Sequence, residues 1–417
     1  MKKCLILGFK KSGQAAYKVL KNKYDIYVIE DNLELPKNIK KIDENYLKNN
    51  LPLFDLTIIS PGFDKSKEIY LLIKVLSREI ISEIELGYRL LKDKNIKIIA
   101  VTGSNGKTTT VSLIEKMLKS IHINTYLLGN IGEPLCEHVQ EIKNNSVVIL
   151  ELSSFQLEDI KDFKSDVNVI TNISPNHLDK VSSYEYYIAS KKRLLMNNQV
   201  VISDNDKYFN EYEVINIYDN DLICLKEDKI IYQGKTLIKR SDLPNYPNFY
   251  LVNVTFALLA IYPLFGYHHE FIKVIKNFKN LPYREAISKV NGFYIMNDSK
   301  STSTGALIEA LKNFQNTKRH IIIGGIYKSN DFDKVKFLKS DEIYIYGTNK
   351  NKIQNIIKKG KVFDNLLEVI LEIKKGIQKE ETIIFSPACS SFDQFKSYFE
   401  RGKYFDDLIK EYFYDTK

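Results

Sequence analysis

The chain has 417 residues, enough for two or three domains with complete hydrophobic cores. Hydrophobic residues make up 44% and charged residues 27%, which excludes a largely disordered chain. The formal net charge of +9 is spread along the sequence and forms no basic block. We therefore expect no nucleic-acid partner, and a small polyanionic substrate fits the charge better.

The cysteines and the N-terminus indicate where the protein works. Cys4, Cys136, Cys224 and Cys389 lack metal-type spacing and are predicted to be reduced thiols. The first apolar run ends at Gly8, which is too short for a signal peptide. No apolar stretch is long enough to span a bilayer. These features predict a cytoplasmic protein without membrane insertion.

Residues 1–92 are predicted to form a small Rossmann-like domain. A strand, a glycine turn from Gly8 to Gly13, a helix and a second strand follow one another. Lys10 stands at the middle glycine of the dinucleotide fingerprint, where a pyrophosphate needs close backbone approach, so ordinary dinucleotide binding is not expected. A later strand ends in Pro61-Gly62, at the carboxyl edge of the predicted parallel sheet. From these residues alone, the domain could equally be a scaffold.

Residues 93–280 are predicted to form a second, larger domain that begins with a phosphate loop. The β-rich residues 96–101 lead to Gly103-Ser-Asn-Gly-Lys-Thr108, after which apolar residues recur at helical spacing. The glycines let backbone N–H groups face phosphate oxygens, Lys107 would reach the outer phosphates and Thr108 would bind Mg²⁺. Val101 stands where the general motif has its first glycine, so a tight turn that binds nothing stays open at this point.

Two buried strands of this domain are predicted to carry polar residues to the same sheet edge. Residues 147–150 end at Glu151, and residues 167–173 lead to Ser174-Pro-Asn-His177. Because a hard cation prefers carboxylate oxygen, Glu151 is a candidate Mg²⁺ ligand. His177 taken alone is as consistent with a capping or core residue.

The rest of the domain is predicted from periodicity. A helix is expected over residues 183–196, residues 200–248 are expected to be less regular, and an apolar helix is expected over residues 252–264.

Residues 281–417 are predicted to form a third domain, again Rossmann-like. Strands are expected at 292–297, 320–323, 342–346 and 382–385, with a closing helix at 393–413. The segments Asp298-Ser-Lys-Ser-Thr302 and Ser386-Pro-Ala-Cys-Ser-Ser391 follow strand ends, where their hydroxyls could cap helices or bind a ligand. Together with Gly324-Gly325 they suggest an anion site that faces the nucleotide.

The expected fold is therefore α/β with three domains: Rossmann-like, P-loop ATPase-type with a mostly parallel sheet, and Rossmann-like. An ATP loop paired with a second anion-binding domain permits ATP-driven ligation.

These motifs resemble the Mur ligase family over essentially the whole chain. Thr102-Gly-Ser-Asn-Gly-Lys-Thr108 matches the shortened phosphate loop of that family. Three patterns resemble the members that add D-glutamate: Glu151-Leu-Ser-Ser-Phe-Gln-Leu-Glu158, Asn297-Asp-Ser-Lys300, and Ser386-Pro-Ala-Cys-Ser-Ser-Phe-Asp-Gln-Phe395 with Arg401-Gly402.

The resemblance implies an activity and a set of partners. It implies a cytoplasmic, monomeric, ATP-dependent acid–amino-acid ligase of peptidoglycan precursor synthesis. D-glutamate would be joined to UDP-N-acetylmuramoyl-L-alanine through an acyl phosphate, with two Mg²⁺ ions.

The resemblance also implies roles for individual residues. The ATP-binding residues would be Gly103, Ser104, Asn105, Gly106, Lys107, Thr108, Thr109, Asn253, Arg284 and Asp298. The UDP-substrate residues would be Gly8, Ser12, Gly13, Ser60, Pro61, Gly62 and Asn130. The D-glutamate residues would be Lys300, Thr302, Lys328, Ser391, Phe392 and Tyr398. The metal ligands would be Thr108, Glu151, His177 and a carbamylated Lys191, and the catalytic residues Lys107, Glu151, His177 and Lys191.

Five positions depart from the family pattern. Val252 and Tyr283 replace histidines, Phe256 and Ser303 replace asparagines, and Tyr327 alters the stretch before Lys328. These changes concern mainly the adenine contacts and leave the metal positions intact.

Other functions fit the sequence less well. A sister ligase for another amino acid and a folylpolyglutamate-type ligase are both disfavoured by the stretch that begins at Ser386. A non-catalytic nucleotide switch has no need of a second metal site, and a nicotinamide dehydrogenase is disfavoured by Lys10.

Overall fold

The computed structural model describes residues 1–31, 33–174, 183–197, 200–243, 246, 249–279, 282–327 and 331–414. Three larger sheets and one small sheet are formed by these residues. The predicted α/β fold with mostly parallel sheets is confirmed. Each larger sheet lies within one of the three predicted domain spans, and the limits of those spans stay a prediction.

The first sheet is entirely parallel, with the strand order β3-β2-β1-β4-β5. Its central strand alternates between two cores, with Cys4 and Ile6 in one and Leu5 and Leu7 in the other, so helices cover both faces. The strands are β1 (Lys2–Leu7), β2 (Tyr24–Ile29), β3 (Lys40–Lys41), β4 (Leu56–Ile59) and β5 (Ile80–Ser82). The helices are α1 (Lys11–Leu20), α2 (Glu44–Asn50), α3 (Glu68–Leu76) and α4 (Glu83–Leu91).

The second sheet is also parallel, in the order β11-β10-β9-β6-β8-β7. All six residues of β8 are buried, as its continuous apolar run predicts. The strands are β6 (Ile96–Thr102), β7 (Thr125–Gly129), β8 (Ser146–Glu151), β9 (Val167–Ile170), β10 (Val200–Ser203) and β11 (Glu213–Asn216). The helices are α5 (Lys107–Ser120), α6 (Leu135–His138), α7 (Ser154–Leu157) and α8 (Tyr184–Lys192).

Residues 200–248 are more regular than the sequence suggested. They contribute β10 and β11 to the second sheet and also form a small antiparallel sheet. Its strands are β12 (Ile223–Lys226), β13 (Lys229–Tyr232) and β14 (Lys235–Lys239). Two helices follow, α9 (Tyr250–Phe265) and α10 (Glu270–Asn277), and α9 packs against α5 within the core.

The third sheet has the order β15-β16-β20-β17-β18-β19, and only its edge strand β15 is antiparallel among the described pairs. The strands are β15 (Ala286–Val290), β16 (Phe293–Asn297), β17 (Arg319–Gly324), β18 (Glu342–Tyr346), β19 (Lys361–Phe363) and β20 (Thr382–Phe385). The helices are α11 (Thr304–Ala310), α12 (Lys350–Ile357), α13 (Leu366–Lys374) and α14 (Tyr398–Phe413).

The closing helix α14 begins later than residue 393, where the sequence placed it. Ser397 accepts a hydrogen bond from the backbone of Glu400 and caps the helix there. Within the part of the chain that the structure describes, no helix is long and apolar enough to cross a membrane.

Candidate active site

The loop from Gly103 to Gly106 connects β6 to α5 at the point where the strand order of the second sheet reverses. Gly103 (φ +140°) and Gly106 (φ +80°) have backbone conformations that favour glycine. A Cβ atom on Gly103 would lie 2.0 Å from Oγ1 of Thr171. Asn172, two residues after β9, fixes the loop, because it accepts hydrogen bonds from the backbone N–H groups of Ser104 and Asn105, both at 2.9 Å. This is the edge of a parallel sheet where ligands bind.

Lys107 folds back over this loop. Its Nζ donates to the carbonyl oxygens of Gly103 (2.8 Å) and Ser104 (2.9 Å). Burial lowers the pKa of Lys107, Glu151 opposes that shift and Arg284 adds to it. The ammonium group is therefore poorly solvated and well placed to pair with an anion.

Thr108, the second residue of α5, lies at the centre of a hydrogen-bonded group that joins three parts of the chain. Its Oγ1 donates to Oε2 of Glu151 at 2.7 Å and accepts from Nη1 of Arg284 at 2.7 Å. Nδ2 of Asn130 donates to the other oxygen of Glu151 at 2.7 Å. Glu151 is only 2% exposed, and a buried carboxylate requires such partners. A hydroxyl and a carboxylate at the end of a phosphate loop are oxygen donors of the kind that Mg²⁺ prefers.

Lys191 lies on α8 and is 1% exposed. Its Nζ donates to the carbonyl of Gly103 at 2.8 Å and to Oγ1 of Thr102 at 3.3 Å. The same atom lies 4.6 Å from the ring centroid of Tyr187. Burial holds the pKa of Lys191 well below its usual range, and the charge of Lys107 lowers it further against the opposing effect of Glu151. His177, the remaining predicted metal ligand, lies outside the described residues.

Two predicted nucleotide contacts lie beside the loop. Asn253 on α9 is buried and accepts a long hydrogen bond from Thr110 at 3.5 Å. Its Nδ2 is buried and has no hydrogen-bond partner among the described residues. A Cβ atom on Gly106 would lie 2.4 Å from Oδ1 of Asn253, so the glycine permits their close approach. Thr109, also predicted to bind ATP, is partly buried on α5.

Asp298 follows β16 and is buried. It accepts hydrogen bonds from Oγ of Ser386 at 3.1 Å and from the backbone of Glu285 at 3.3 Å. Burial raises the pKa of Asp298 to about 7 in spite of these two donors.

The residues predicted to bind D-glutamate differ in their exposure. Nζ of Lys300 lies 4.7 Å from the ring centroid of Tyr398, and burial with the charges of Arg284 and Lys107 lowers the pKa of Lys300 to about 8. Ser391 is buried, whereas Phe392 is 68% exposed. Thr302 is exposed, and Lys328 lies outside the described residues.

A cleft of about 420 Å³ lies at the carboxyl edge of the first sheet. The predicted UDP-substrate residues that line it are Gly8, Ser12, Ser60, Pro61 and Gly62. Gly13 lies behind the turn, where a Cβ atom would be 2.0 Å from the carbonyl oxygen of Gly8. Asn130, the other predicted contact, lies at Glu151 in the second sheet.

Two residues near the phosphate loop were missed by the sequence reasoning. The hydroxyl of Tyr187 lies 3.0 Å from Oγ of Ser104, and Asn172 holds the loop as described above. Tyr187 precedes Lys191 by four residues on α8 and so lies on the same helix face, which is a signal that the sequence contains.

The fold and the loop define a P-loop α/β protein with flanking α/β domains, and comparisons with known proteins agree. Residues 101–223 match the family model described as the Mur ligase middle domain. A UDP-N-acetylmuramoylalanine–D-glutamate ligase from Francisella tularensis subsp. novicida (strain U112) is 32% identical over 424 residues, which cover 98% of this chain and 96% of the relative.

Solved structures share the fold at lower identity. The UDP-N-acetylmuramate-alanine ligase MurC from Thermotoga maritima has a TM-score of 0.59 and 17% identity, covering 99% of this chain and 100% of that chain. The MurF ligase from the same organism, in complex with ADP, has a TM-score of 0.60 and 16% identity, covering 87% and 96%. The chain therefore belongs to the Mur ligase family, and within it to the UDP-N-acetylmuramoylalanine–D-glutamate ligases.

Proposed function

We propose that this chain joins D-glutamate to UDP-N-acetylmuramoyl-L-alanine with consumption of ATP, as a step of peptidoglycan precursor synthesis. The observation that carries the proposal is the balance of charge around the phosphate loop. Among the described residues, Lys107, Lys191, Lys300 and Arg284 gather about Glu151 and act on one another electrostatically. Mutually repelling, poorly solvated cations are stabilised by a bound polyanion, and ATP together with a carboxylate substrate supplies that charge.

The first step uses the loop and its helix. The backbone N–H groups of residues 103–106 and the N-terminus of α5 would hold the phosphates of ATP. Nζ of Lys107 would give up its hydrogen bonds to the carbonyls of Gly103 and Ser104 and would donate to the γ-phosphate instead. Arg284 reaches the same place from the third sheet, and these cations stabilise the charge that develops when the alanine carboxylate of the UDP substrate attacks the γ-phosphate.

Thr108 and Glu151 are the residues that would hold one Mg²⁺ ion. When bound, the ion would neutralise phosphate oxygens and orient the transferred group. Glu151 would release the hydroxyl of Thr108 for that purpose, and Asn130 would keep the carboxylate oriented by its hydrogen bond. His177 and a carbamylated Lys191 would hold a second Mg²⁺ ion.

Carbamylation of Lys191 fits its surroundings. A buried amine whose pKa is lowered is more often neutral, and a neutral amine attacks carbon dioxide. A bond forms between Nζ and the carbon, one carbon–oxygen π bond of carbon dioxide breaks with its electron pair left on oxygen, and a proton leaves the nitrogen. The product is an anion that relieves the repulsion between Lys191 and Lys107 and can coordinate a metal ion.

The second step forms the amide bond. The first step releases ADP and leaves an acyl phosphate. The amine of D-glutamate then attacks the carbonyl carbon of that acyl phosphate, phosphate leaves, and the nitrogen gives up a proton as the amide forms. Lys300, beside Tyr398, would offer positive charge to D-glutamate or to the departing phosphate, together with Lys328, Thr302, Ser391 and Phe392. Asn253 and Asp298 would bind the adenosine, with Asp298 on the ribose hydroxyls.

The remaining contacts complete the proposal. The cleft at Gly8 and Ser60 would hold the UDP part of the substrate, at the edge of a parallel sheet where nucleotides bind. We also propose that the protein acts as a monomer in the cytoplasm.

The direct test is product formation. Purified protein is incubated with Mg-ATP, UDP-N-acetylmuramoyl-L-alanine and D-glutamate, and the products are followed by mass spectrometry and ADP release. We expect one ADP per UDP-linked product that has gained one glutamate residue. ADP release without that product would overturn the proposal and favour a nucleotide switch.

A further inference from the structure

The segment Tyr283-Arg284-Glu285 has an unusual backbone. The backbones of Tyr283 (φ +63°) and Glu285 (φ +46°) both lie in the left-handed region, which residues other than glycine rarely adopt. Such conformations persist only where the surroundings hold them. Arg284, the residue between them, is the one whose guanidinium contacts Thr108.

Both flanks of Arg284 are held by the third sheet. The carbonyl of Tyr283 accepts from the backbone N–H of Lys300 at 3.0 Å, and the backbone N–H of Glu285 donates to Oδ1 of Asp298 at 3.3 Å. Strand β15 begins at the next residue and pairs with β16. Arg284 is therefore held beside the third sheet, although its guanidinium donates to Thr108 on α5.

The ring of Tyr283 lies against α14 at Gly402. A Cβ atom on Gly402 would be 2.3 Å from Cγ of that ring, so the ring occupies the space that any other residue at position 402 would fill. Phe399, one turn earlier on α14, meets the ring edge-on with centroids 4.9 Å apart. The carbonyl of Gly402 accepts from Nδ2 of Asn297 at 2.9 Å, which ties this part of α14 to the end of β16.

We propose that Tyr283 is a positioning residue for Arg284: its ring, seated on Gly402, sets the direction in which Arg284 leaves the third sheet towards Thr108. The backbone hydrogen bonds fix where the segment lies, and the ring fixes its rotation. The assignment rests on the proposed function for its catalytic consequence, because Arg284 acts there on the transferred phosphate.

The test is a double-mutant cycle with two readouts: the affinity for Mg-ATP by calorimetry and the rate of D-glutamate-dependent phosphate release. The variants are Tyr283→Ala, Gly402→Ala, Arg284→Ala and the combination of Tyr283→Ala with Arg284→Ala. We expect Tyr283→Ala and Gly402→Ala each to lower kcat by about 10- to 100-fold, as displacement of a positioned group does. Tyr283→Phe, which keeps the ring, should restore the activity.

The combined variant decides between positioning and simple packing. If Tyr283 acts through Arg284, Tyr283→Ala should have less than about a twofold further effect once Arg284 is alanine. Tyr412→Ala is the matched control: Tyr412 is a partly buried tyrosine on α14 itself, and its removal should leave kcat unchanged. A cooperative urea unfolding transition with the midpoint of the wild-type protein serves as a check that each variant is folded.

The outcomes separate this inference from the proposed function. Independent, multiplicative losses from Tyr283→Ala and Arg284→Ala, or wild-type kcat in Tyr283→Ala, would overturn the positioning role and leave the ligase intact. Absence of phosphate release from the wild-type protein would overturn the proposed ligase function. The positioning role would still be supported if Tyr283→Ala weakened Mg-ATP binding in the protein that has Arg284 and not in the protein that carries Arg284→Ala.

Discussion

Arg284 and Thr108 are 176 positions apart in the chain and are joined by a 2.7 Å hydrogen bond from guanidinium to hydroxyl. The same hydroxyl donates to Glu151, so one side chain connects the third sheet, the phosphate loop and the end of β8. Arg284 and Glu151, which lie on opposite sides of the proposed reaction centre, therefore both contact Thr108. A ligand bound at Thr108 would lie between α5 and the segment that precedes β15, which suits a reaction whose acyl phosphate must be kept from water.

Replacement of Glu151 tests the metal site. Glu151→Gln keeps the size of the side chain and an oxygen acceptor for Thr108, but removes the charge that would hold Mg²⁺. We expect kcat to fall by about 100-fold or more, which is typical of the loss of one electrostatic contact in a transition state. The Mg²⁺ concentration for half-maximal activity should also rise.

Glu158→Gln is the matched control for that experiment. Glu158 follows α7 and pairs with Lys65 at 2.6 Å, away from Thr108. It should leave the Mg²⁺ dependence unchanged. An unchanged Mg²⁺ dependence in Glu151→Gln itself would rule out Glu151 as a ligand.

Replacement of Lys191 tests the carbamate. Lys191→Ala removes the amine and leaves a space beside Gly103 and Tyr187. We expect phosphate release to be lost. Added short carboxylic acids should partly restore it, because a free carboxylate can take the place of the carbamate. A folded variant that no carboxylic acid rescues would count against the carbamate role.

The burial of Asp298 predicts a pH dependence of stability. Burial raises the pKa of Asp298 above the ordinary value of 3.8, and the pKa of the neighbouring Glu285 is raised with it, so the folded state holds protons more tightly. The free energy of unfolding should therefore fall as the pH rises from about 4 to about 7, and stay lower above that range. Asp298→Asn, which cannot ionise, should reduce this fall.

Urea unfolding at about pH 5 and about pH 8 measures the effect. Asp407→Asn, at an exposed position on α14, is the control and should keep the wild-type slope. A slope in Asp298→Asn equal to that of the wild type would show that Asp298 ionises normally.

Glu85 connects the first two predicted domains, and its loss should destabilise the protein. The carboxylate is fully buried and accepts from the backbone N–H groups of Lys161 (2.9 Å), Asp162 (3.1 Å) and Phe163 (3.0 Å). It also pairs with Arg89 at 2.8 Å. We expect Glu85→Ala to lower the free energy of unfolding by about 3–5 kcal/mol, since it leaves three backbone N–H donors without an acceptor. Arg89 keeps Glu79 and Asp162 as partners and contributes less to this cost.

Glu79→Ala is the control, because Glu79 contacts the same Arg89 but is partly exposed. Its cost should be about 1 kcal/mol or less. Equal costs for the two variants, measured by urea unfolding, would contradict the special role of Glu85.

Some elements could be predicted because one local signal decided them. The run before Glu151 is apolar at every position, so both of its faces must be buried, as they are in a central strand of a parallel sheet. It forms β8. The glycine turn before Lys107 sets the start of α5, since Gly106 adopts the conformation that ends the loop. The strands at 342–346 and 382–385 were likewise predicted at the limits that the structure shows.

Other features depend on contacts that no local pattern contains. Strand β11 is mostly only partly buried, so its apolar signal is weak, and its place is set by pairing with β10. Glu85 looks like an ordinary helix-surface acid until residues 161–163 approach it. The departure at Tyr283 was visible in the sequence, but the space that explains it is created by Gly402, more than a hundred residues later.

The most direct measurement is phosphate release from Mg-ATP in the presence of UDP-N-acetylmuramoyl-L-alanine, with D-glutamate, L-glutamate, L-alanine, L-lysine or meso-diaminopimelate added separately. The proposed function predicts release with D-glutamate and none above background with the other four. Release with a different amino acid would contradict the substrate assignment while keeping the ligase chemistry, and no release with any of the five would contradict the ligase itself.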